Sequence, residues 1–513
     1  MKESQNAVFS FLADPATHGI ASVIKRIDTH GAVVFLAGRN AYKIKRAVRY
    51  PYMDFSTLVK RKAACEAEVA INREYAPDIY LAAVPITRDK NELHIDGTGS
   101  IVEWAVHMRR FDEDATLDRI ADKGLLDPML IDQLAQVVSD MHQKAPARRG
   151  APAAIALHNV LTESLDELAL RKAIFPAEIV QPLRADLLKA YRQNEMLLFQ
   201  RALNGKVRRC HGDLHLRNIV LQDKNPVLFD AIEFDESIAT VDTLYDLAFL
   251  LMDLCERGLG AQACRLLNRY LWLSNDEADE IEGLALLPLF LSLRAIIRAK
   301  VVTTQADLAA DGDQLRAEAR KYAEAALRFL APVGRRLVAI GGLSGAGKSV
   351  LATALAPHFG AVPGALHLRS DIERKKAAGY SEFVRLVPDA YSPAASARVY
   401  SRLRELAAAA LRAGRNVIVD ATFLQQEQRV ELERIAARTG ARFQGLWLEA
   451  PLDVLRDRIR ERRHDASDAT VEVVETQTTQ ATGAITWQRI DASQPVDVTV
   501  TRSLGVLESA VRQ

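Results

Sequence analysis

Residues 342–349 constrain the fold of this chain more than any other segment. They read Gly-Leu-Ser-Gly-Ala-Gly-Lys-Ser, directly after the apolar run Leu337–Ile340 and ahead of a helical pattern. Glycines between a strand and a helix let backbone N–H groups turn inward around phosphate oxygens, and the helix N-terminus adds partial positive charge. A lysine and a hydroxyl at the end of such a loop reach the phosphates and Mg²⁺. We therefore predict an ATP- and Mg²⁺-binding loop, rather than a turn that binds nothing, formed by Gly342, Ser344, Gly345, Ala346, Gly347, Lys348 and Ser349.

The chain beyond this loop alternates between strand-like and helical patterns, which predicts a parallel sheet covered by helices. The predicted strands are Leu337–Ile340, Asn416–Val419, Phe443–Leu448 and Val496–Val500, and the predicted helices are Val350–Ala356, Arg398–Ala413, Glu427–Thr439 and Leu452–Arg463. The break at Ala331-Pro332-Val333-Gly334 ends the preceding helical region. We place a domain boundary there and expect an α/β P-loop domain over residues 336–513.

Carboxylates and basic residues follow the predicted strands of this domain. Asp420 ends an apolar strand expected beside the P-loop strand, where it would hold Mg²⁺, although capping the next helix is the competing interpretation. Asp371 and Arg374 lie in a segment that resembles the small-molecule and polynucleotide kinases of the P-loop class. That resemblance implies that Asp371 accepts the proton of the attacking hydroxyl and that Arg374 holds substrate or phosphate.

An arginine-rich segment follows the strand that ends at Leu448. In the same kinases a lid with arginines closes on the phosphates at this point. By that resemblance Arg458 and Arg462 stabilise developing charge, sharing one face of a helix at i and i+4. A solvated basic helix face is the alternative.

The first half contains a second motif, His211-Gly212-Asp213-Leu214-His215-Leu216-Arg217-Asn218, with the H-x-D-x-x-x-x-N spacing of a phosphotransfer loop. A hairpin follows and ends at Asp230. Together with Asp246 downstream, these residues resemble the aminoglycoside phosphotransferase family. The resemblance implies that Asp213 is the catalytic base, that Asn218 and Asp230 bind Mg²⁺, and that Asp246 ties the next helix to the loop.

Such a site also needs a lysine and a glutamate from a β-rich lobe. Lys43 matches the spacing of the V-A-I-K motif, with Lys45 as the rival on the same strand face. Glu68 is preferred over Glu66 as its partner. Residues 101–106 resemble the link that meets the adenine edge. No G-x-G-x-x-G precedes Lys43, and Asp230 is not followed by Phe-Gly, so phosphate-loop residues and kinase-style switching are not assigned.

Composition sets few further limits. The chain has 513 residues with a formal net charge of +1, so its overall charge indicates neither nucleic acid nor an anionic membrane as partner. The four cysteines form no C-x-x-C pair, which argues against structural zinc and disulfides. The N-terminus lacks an apolar signal core, and the longest apolar run, residues 283–293, is too short to cross a bilayer. We expect a cytoplasmic protein.

The predicted fold is an α+β protein-kinase-like bilobal domain followed by an α/β P-loop domain. The first domain covers residues 1–330, with a β-rich lobe at about 20–105 and a helical lobe at about 106–330, and the second covers residues 336–513. This arrangement resembles bifunctional aminoglycoside phosphotransferase/ATP-binding proteins. It implies two transfers of the ATP γ-phosphate to small-molecule hydroxyls. A regulatory ATP-binding module or a polynucleotide 5′-hydroxyl kinase in the second half are the alternatives. Neither acceptor is identified by the sequence.

Overall fold

The computed structural model describes residues 5–50, 53–148, 152–309, 311–463 and 465–509. Its strands are β1 Lys25–Asp28, β2 Ala32–Ala37, β3 Asn40–Lys45, β4 Arg49–Tyr50, β5 Met53–Asp54, β6 Tyr80–Asp89, β7 Glu92–Ile95, β8 Ser100–Arg109, β9 Val207–Arg209, β10 Ile219–Gln222, β11 Asn225–Leu228, β12 Thr240–Asp242, β13 Arg336–Gly342, β14 Leu366–Arg369, β15 Val417–Asp420, β16 Arg442–Glu449 and β17 Gln488–Asp491.

The α-helices occupy most of the remaining chain. They are α1 Asn6–Ala13, α2 Leu58–Arg73, α3 Leu117–Asp122, α4 Pro128–Lys144, α5 Pro152–Leu170, α6 Ala177–Leu203, α7 Glu236–Ala239, α8 Thr243–Glu256, α9 Gly260–Leu273, α10 Glu277–Gly283, α11 Leu287–Leu308, α12 Asp313–Leu330, α13 Lys348–Leu355, α14 Ser370–Ala377, α15 Pro393–Arg412, α16 Gln426–Thr439, α17 Leu452–Glu461, α18 Val471–Thr478 and α19 Val496–Ser509. Within the described ranges, none is both long enough and apolar enough to cross a membrane.

Packing divides the chain into two compact units. The first comprises residues 1–159 and 199–253, and the second comprises residues 160–198 and 254–513. These limits follow contacts and fall inside helices α5, α6 and α8, whereas the predicted boundary at 330–336 follows a break in the sequence pattern. That boundary therefore stays a prediction.

The first unit is built around an antiparallel sheet with strand order β1-β2-β3-β8-β6-β7. Alternation along β2 and β3 buries Val33, Phe35 and Ile44 in a core beneath the sheet. On the other face, α2 packs against β6 and β8 and contributes Cys65 and Val69 to a second core. This sheet and helix match the predicted β-rich lobe, and they position the residues of the first site.

The second unit contains a sheet with strand order β14-β15-β13-β16-β17, in which every neighbouring pair is parallel. The central strand β13 is buried on both faces, as expected when helices cover a parallel sheet. The predicted parallel α/β fold is thus confirmed.

One predicted strand of this region is wrong. Residues 496–500 begin helix α19, and the fifth strand of the sheet is β17. The alternation of valine with Asp497 and Thr499 favours a strand by β-propensity alone. In the structure, Thr499 and Ser503 are both buried at a helical spacing of four, and Ser503 Oγ donates to the Thr499 carbonyl at 2.7 Å. Helical packing against the sheet overrides the local preference.

Candidate active sites

Lys43, Glu68 and Asp230 meet at one point of the first unit. Lys43 projects from β3, and its Nζ lies 2.8 Å from Glu68 Oε1 and 2.6 Å from Asp230 Oδ1. Glu68 reaches this point from α2, and Asp230 follows the end of β11. The rival glutamate, Glu66, is 54% exposed and lies 3.7 Å from Lys62. The structure therefore brings the three predicted residues together and leaves Glu66 at the surface.

Lys45, the rival lysine, is buried in the same cluster. Its Nζ contacts the second carboxylate oxygen of Glu68 and also Glu233, so Glu68 bridges two lysines. Burial raises the pKa of Glu68, but Lys43 and Lys45 outweigh it and lower that pKa to about 2. Burial lowers the pKa of Lys43, but Asp230 and Glu68 together raise it well above its usual value. The cluster thus keeps a buried lysine charged.

Asp213 and Asn218 lie on the loop between β9 and β10. Asn218 Nδ2 donates to Asp213 Oδ2 at 2.9 Å, and His215 Nε2 lies 3.4 Å from the same oxygen. Gly212 has a φ of +84°, a left-handed backbone conformation that favours glycine. The Asp213 side chain is 39% exposed, so an acceptor hydroxyl can approach it.

Asp246 at the start of α8 anchors this loop. Its Oδ1 accepts the backbone N–H of Gly212 at 2.9 Å, and its Oδ2 accepts that of His211 at 3.3 Å. The His142 ring lies 3.2 Å from Oδ2, on the buried side. These contacts agree with the structural role predicted for Asp246.

Residues 101–106 do not form the predicted link to the adenine edge. They lie inside β8, where Val106 pairs with Lys43 and Ala105 pairs with Ile44. β6 pairs along the other edge of the same segment. The backbone N–H and C=O groups with which an adenine would form hydrogen bonds are therefore engaged in strand pairing. An apolar central strand and an apolar link look alike in sequence, which is why the interpretation was wrong.

His30 is a site neighbour that sequence reasoning missed. It lies in the turn between β1 and β2, and its ring centroid is 6.1 Å from that of Tyr50. Burial lowers the pKa of His30, and the negative charge of Asp213 partly offsets this. A lone histidine in a short turn carries no motif, and only the fold reveals this neighbourhood.

The predicted nucleotide-binding loop of the second unit lies between β13, which ends at Gly342, and α13, which begins at Lys348. Gly345 and Gly347 have φ values of +83° and +86°, which glycine adopts without steric cost. A Cβ on Gly345 would lie 2.8 Å from the carbonyl oxygen of Leu455 in α17. Both glycines are therefore favoured by the turn, and Gly345 is also required by the close approach of α17.

Ser349 and Asp420 are in contact at the end of this loop. β15 lies beside β13 with Asp420 opposite Ile340, as predicted, and Ser349 Oγ donates to Asp420 Oδ2. His367 Nε2 lies 3.3 Å from the same oxygen, and burial lowers the pKa of this histidine and favours its neutral form. A hydroxyl beside a carboxylate offers the oxygen ligands that Mg²⁺ prefers. The residues present therefore fit a Mg²⁺ ion bound with a nucleotide.

Asp371 and Lys348 line one cavity of about 1230 Å³. Burial raises the pKa of Asp371 and the charge of Asp420 adds to this, while Arg369 and Lys348 oppose it. Burial lowers the pKa of Lys348, and Asp420 and Asp371 oppose that change. A carboxylate suited to accepting a proton thus shares a cavity with the P-loop lysine.

Arg458 and Arg462 line the same cavity, but not as the predicted helical pair. Arg458 lies within α17, whereas Arg462 follows the last helical residue, Glu461, with ψ at 131°. The helix ends before the i, i+4 spacing is completed. Both guanidinium groups nevertheless belong to the cavity that contains the P-loop.

Arg374 also lines this cavity and is held by its surroundings. Its Nη1 donates to the Ala390 carbonyl at 2.7 Å and to Ser396 Oγ at 3.2 Å, and its guanidinium lies 4.8 Å from the centroid of the Tyr391 ring. Its buried Nε has no hydrogen-bond partner among the described residues. Arg374 thus lines the cavity with a guanidinium group that Ala390 and Ser396 hold in place.

Gln477 is another residue that the sequence did not indicate. It lies in α18, and its Oε1 accepts the backbone N–H of Ser344 at 2.9 Å. Gln477 therefore accepts from one of the backbone N–H groups of the loop that would otherwise donate to a phosphate oxygen. An isolated glutamine in a polar helix gives no signal of such a contact.

Two protein-family models match this chain. Residues 55–284 match the phosphotransferase enzyme family, and residues 337–483 match an AAA domain. The first match contains the catalytic-loop residues, and the second contains the P-loop and Asp420.

Individual proteins are also similar to the chain. It is 29% identical over 493 residues to the uncharacterized protein Rv2004c of Mycobacterium tuberculosis, which covers 94% of this chain and 95% of that protein. A choline/ethanolamine kinase family protein from Mesorhizobium loti covers 63% of this chain and 94% of its own, with a TM-score of 0.38 and 15% identity. A sugar kinase from Janibacter sp. covers 34% of this chain and 95% of its own, with a TM-score of 0.26 and 21% identity.

Each family model thus falls on one of the two sites described above. The chain is a two-domain kinase-like protein, in which residues 55–284 match the phosphotransferase enzyme family and residues 337–483 match an AAA domain.

Proposed function

We propose that the chain transfers the γ-phosphate of ATP at two separate sites, each time to a hydroxyl group of a small molecule. The observation that carries this proposal is the same at both sites. A carboxylate able to accept a proton lies near a lysine and near oxygen ligands suited to phosphates and Mg²⁺. At the first site Asn218, which donates to Asp213, accepts with its carbonyl the N–H of Phe229, the residue before the Lys43 partner Asp230. At the second site Asp371 lines the same cavity as Lys348, Ser349 and Asp420. In each reaction the acceptor oxygen bonds to the γ-phosphorus, the bond to the β–γ bridging oxygen breaks, and ADP leaves. The hydroxyl proton passes to the aspartate.

At the first site, Lys43 would bind the phosphates, because its charge is maintained by Glu68 and Asp230. Asn218 and Asp230 would hold Mg²⁺, which offsets negative charge on the phosphates when bound. Asp230 contacts Lys43 in this structure and is partly exposed, so it can turn towards a metal–nucleotide complex. Asp213 would orient and deprotonate the acceptor.

At the second site, the backbone donors of residues 342–347 and Lys348 would surround the β- and γ-phosphates. Ser349 and Asp420 would hold Mg²⁺. Asp371 would accept the proton. Arg374, Arg458 and Arg462 would stabilise charge on the acceptor or on the transferred group, since all three line the cavity.

The proposal is tested by measuring ADP formation against a library of sugars, aminoglycosides, nucleosides and oligonucleotides. We expect Asp213→Asn to lower one acceptor-dependent activity by about 10²–10⁴-fold and to leave the other unchanged. Lys348→Ala should show the opposite pattern. Asp223→Asn, on an exposed hairpin turn, and Lys189→Ala, on the exposed face of α6, are matched controls. If both activities survived either site variant, the two-site proposal would be wrong.

The alternatives for the second site predict different results. If the P-loop half only senses ATP, Lys348→Ala impairs turnover at the first site while Asp371→Ala changes no activity. If it is a polynucleotide kinase, an oligonucleotide is the accepted substrate and its binding weakens steeply with salt.

A further inference from the structure

Helix α9 packs against the edge of the P-loop sheet, within the second compact unit. β14 is the edge strand, because it pairs with β15 on one side and no strand of the described residues pairs with it on the other. Edge strands carry backbone N–H and C=O groups that need other partners when they are buried. Side chains of α9 supply those partners.

Asn268 of α9 makes two of these contacts. Its Oδ1 accepts the backbone N–H of His367 at 2.7 Å, and its Nδ2 donates to the Ala365 carbonyl at 3.2 Å. The amide orientation is fixed by chemistry, since one partner can only donate and the other can only accept. Trp272, one turn further along α9, donates from Nε1 to the His367 carbonyl at 3.2 Å. Both backbone polar groups of His367 on the free edge are therefore bonded to α9.

Packing ties the same helix to the P-loop core. Cys264 is 2% exposed and belongs to a cluster that includes Ile340 of β13 and Leu351 of α13. A Cβ on Gly364 would lie only 2.8 Å from Cys264 Sγ, so the chain before β14 approaches α9 as closely as glycine permits. Helix α9 is thus part of the P-loop core although it precedes residue 330.

Strand β14, whose backbone is bonded to α9, contains a residue that contacts the proposed Mg²⁺ ligand Asp420. His367, whose backbone is held by α9, places its ring 3.3 Å from Asp420 Oδ2. The same oxygen accepts a hydrogen bond from Ser349 Oγ. Mutation of a group that orients a metal ligand typically lowers metal affinity or activity by about 10–100-fold.

We infer that Asn268 and Trp272 are positioning residues of the P-loop site, which hold His367 and through it the Mg²⁺-binding carboxylate of Asp420. Asn268 and Trp272 lie in the region that matches the phosphotransferase family, whereas His367 and Asp420 lie in the region that matches the AAA domain. A helix of the first region therefore completes the site of the second. This inference rests on the function proposed for the P-loop site.

The test uses the full chain carrying Lys43→Ala, so that nucleotide binds only at the P-loop. Binding of a fluorescent, non-hydrolysable ATP analogue is titrated with Mg²⁺ and is also measured without metal. We expect Asn268→Ala to raise the Mg²⁺ concentration for half-maximal binding about tenfold, with the metal-free affinity changed less than about twofold. Trp272→Phe keeps an aromatic side chain but removes the pyrrole part of the indole with its Nε1 donor, and it should give a smaller shift in the same direction.

Asn194→Ala is the matched control. Asn194 Nδ2 donates at 2.9 Å to the carbonyl of Ala190 in its own helix, so the variant removes a hydrogen bond within one helix. The inference is contradicted if Asn268→Ala behaves like Asn194→Ala. It is equally contradicted if the metal-free affinity falls together with the Mg²⁺ response, since that indicates general loosening of the loop. If the Lys43→Ala parent binds no nucleotide at all, the proposed function of the P-loop site fails instead.

Discussion

At the scale of single residues, the first site depends on one carboxylate shared by two lysines. The V-A-I-K spacing was enough to predict Lys43, and the structure places its Nζ beside Glu68 and Asp230. The spacing could not show that Lys45 also contacts Glu68 and that Glu233 completes the cluster. Glu233 reaches Lys45 across 188 positions of the chain, and no local pattern encodes such a contact.

Glu68→Gln should destabilise the first unit strongly. Glu68 is fully buried, and removing its charge leaves two buried lysines with less compensation. Breaking a buried ion pair from one side costs about 3–5 kcal/mol. Glu66→Gln, two residues earlier on the same helix, alters an exposed pair and should cost no more than about 1 kcal/mol. The free energy of unfolding of both variants is measured by denaturant unfolding. Equal values would show that the cluster does not stabilise the first unit.

At the scale of elements, the alternation of strands and helices predicted the parallel sheet but not everything that covers it. Residues 496–500 form a helix because packing outweighs their β-propensity, and Arg462 lies beyond α17 because that helix ends at Glu461. The contact of α9 with β14 joins Asn268 to His367, which are 99 positions apart. Periodicity shows that α9 has a buried face but not which element covers it.

Gly364→Ala tests how closely α9 approaches the P-loop core. The added Cβ would meet the Ala356 carbonyl oxygen at 2.6 Å and Cys264 Sγ at 2.8 Å, in a backbone with positive φ. Gly379→Ala also changes a glycine with positive φ, but nothing lies within 4 Å of its Cβ. We expect Gly364→Ala to cost about 1–3 kcal/mol more than Gly379→Ala in the free energy of unfolding. Equal costs would show that α9 does not crowd this position.

The neighbouring carboxylates of Glu277 in α10 and Glu373 in α14 make stability depend on pH. Burial and the neighbouring carboxylate of Glu277 raise the pKa of Glu373 from its ordinary 4.5 to about 8. The folded protein therefore keeps a proton that the unfolded chain releases, and the free energy of unfolding falls as pH rises from about 4.5 towards 8. Glu373→Gln mimics the protonated form and should reduce that loss.

Thermal melting at pH 6 and pH 8 measures the effect. The wild-type chain and Glu324→Gln, an exposed control on α12, should lose more stability between the two values than Glu373→Gln does. Parallel behaviour of all three proteins would show that Glu373 is ionised in the folded state.

At the scale of the whole molecule, the sequence indicated both phosphotransfer motifs because each is compact and its residue types are dictated by phosphate and metal chemistry. It could not indicate the limits of the packed units, because these depend on contacts between distant segments. Helices between residues 254 and 330 belong by packing to the unit that contains the P-loop. The sequence pattern groups them with the first domain instead.

The central claim is that one chain has two independent ATP sites, and nucleotide stoichiometry tests it without knowledge of either acceptor. Equilibrium binding of a non-hydrolysable ATP analogue with Mg²⁺ should give two molecules per wild-type chain. It should give one for Lys43→Ala, one for Lys348→Ala and none for the double variant, with Lys189→Ala retaining two. A single nucleotide per wild-type chain, or two remaining in either single site variant, would contradict the account.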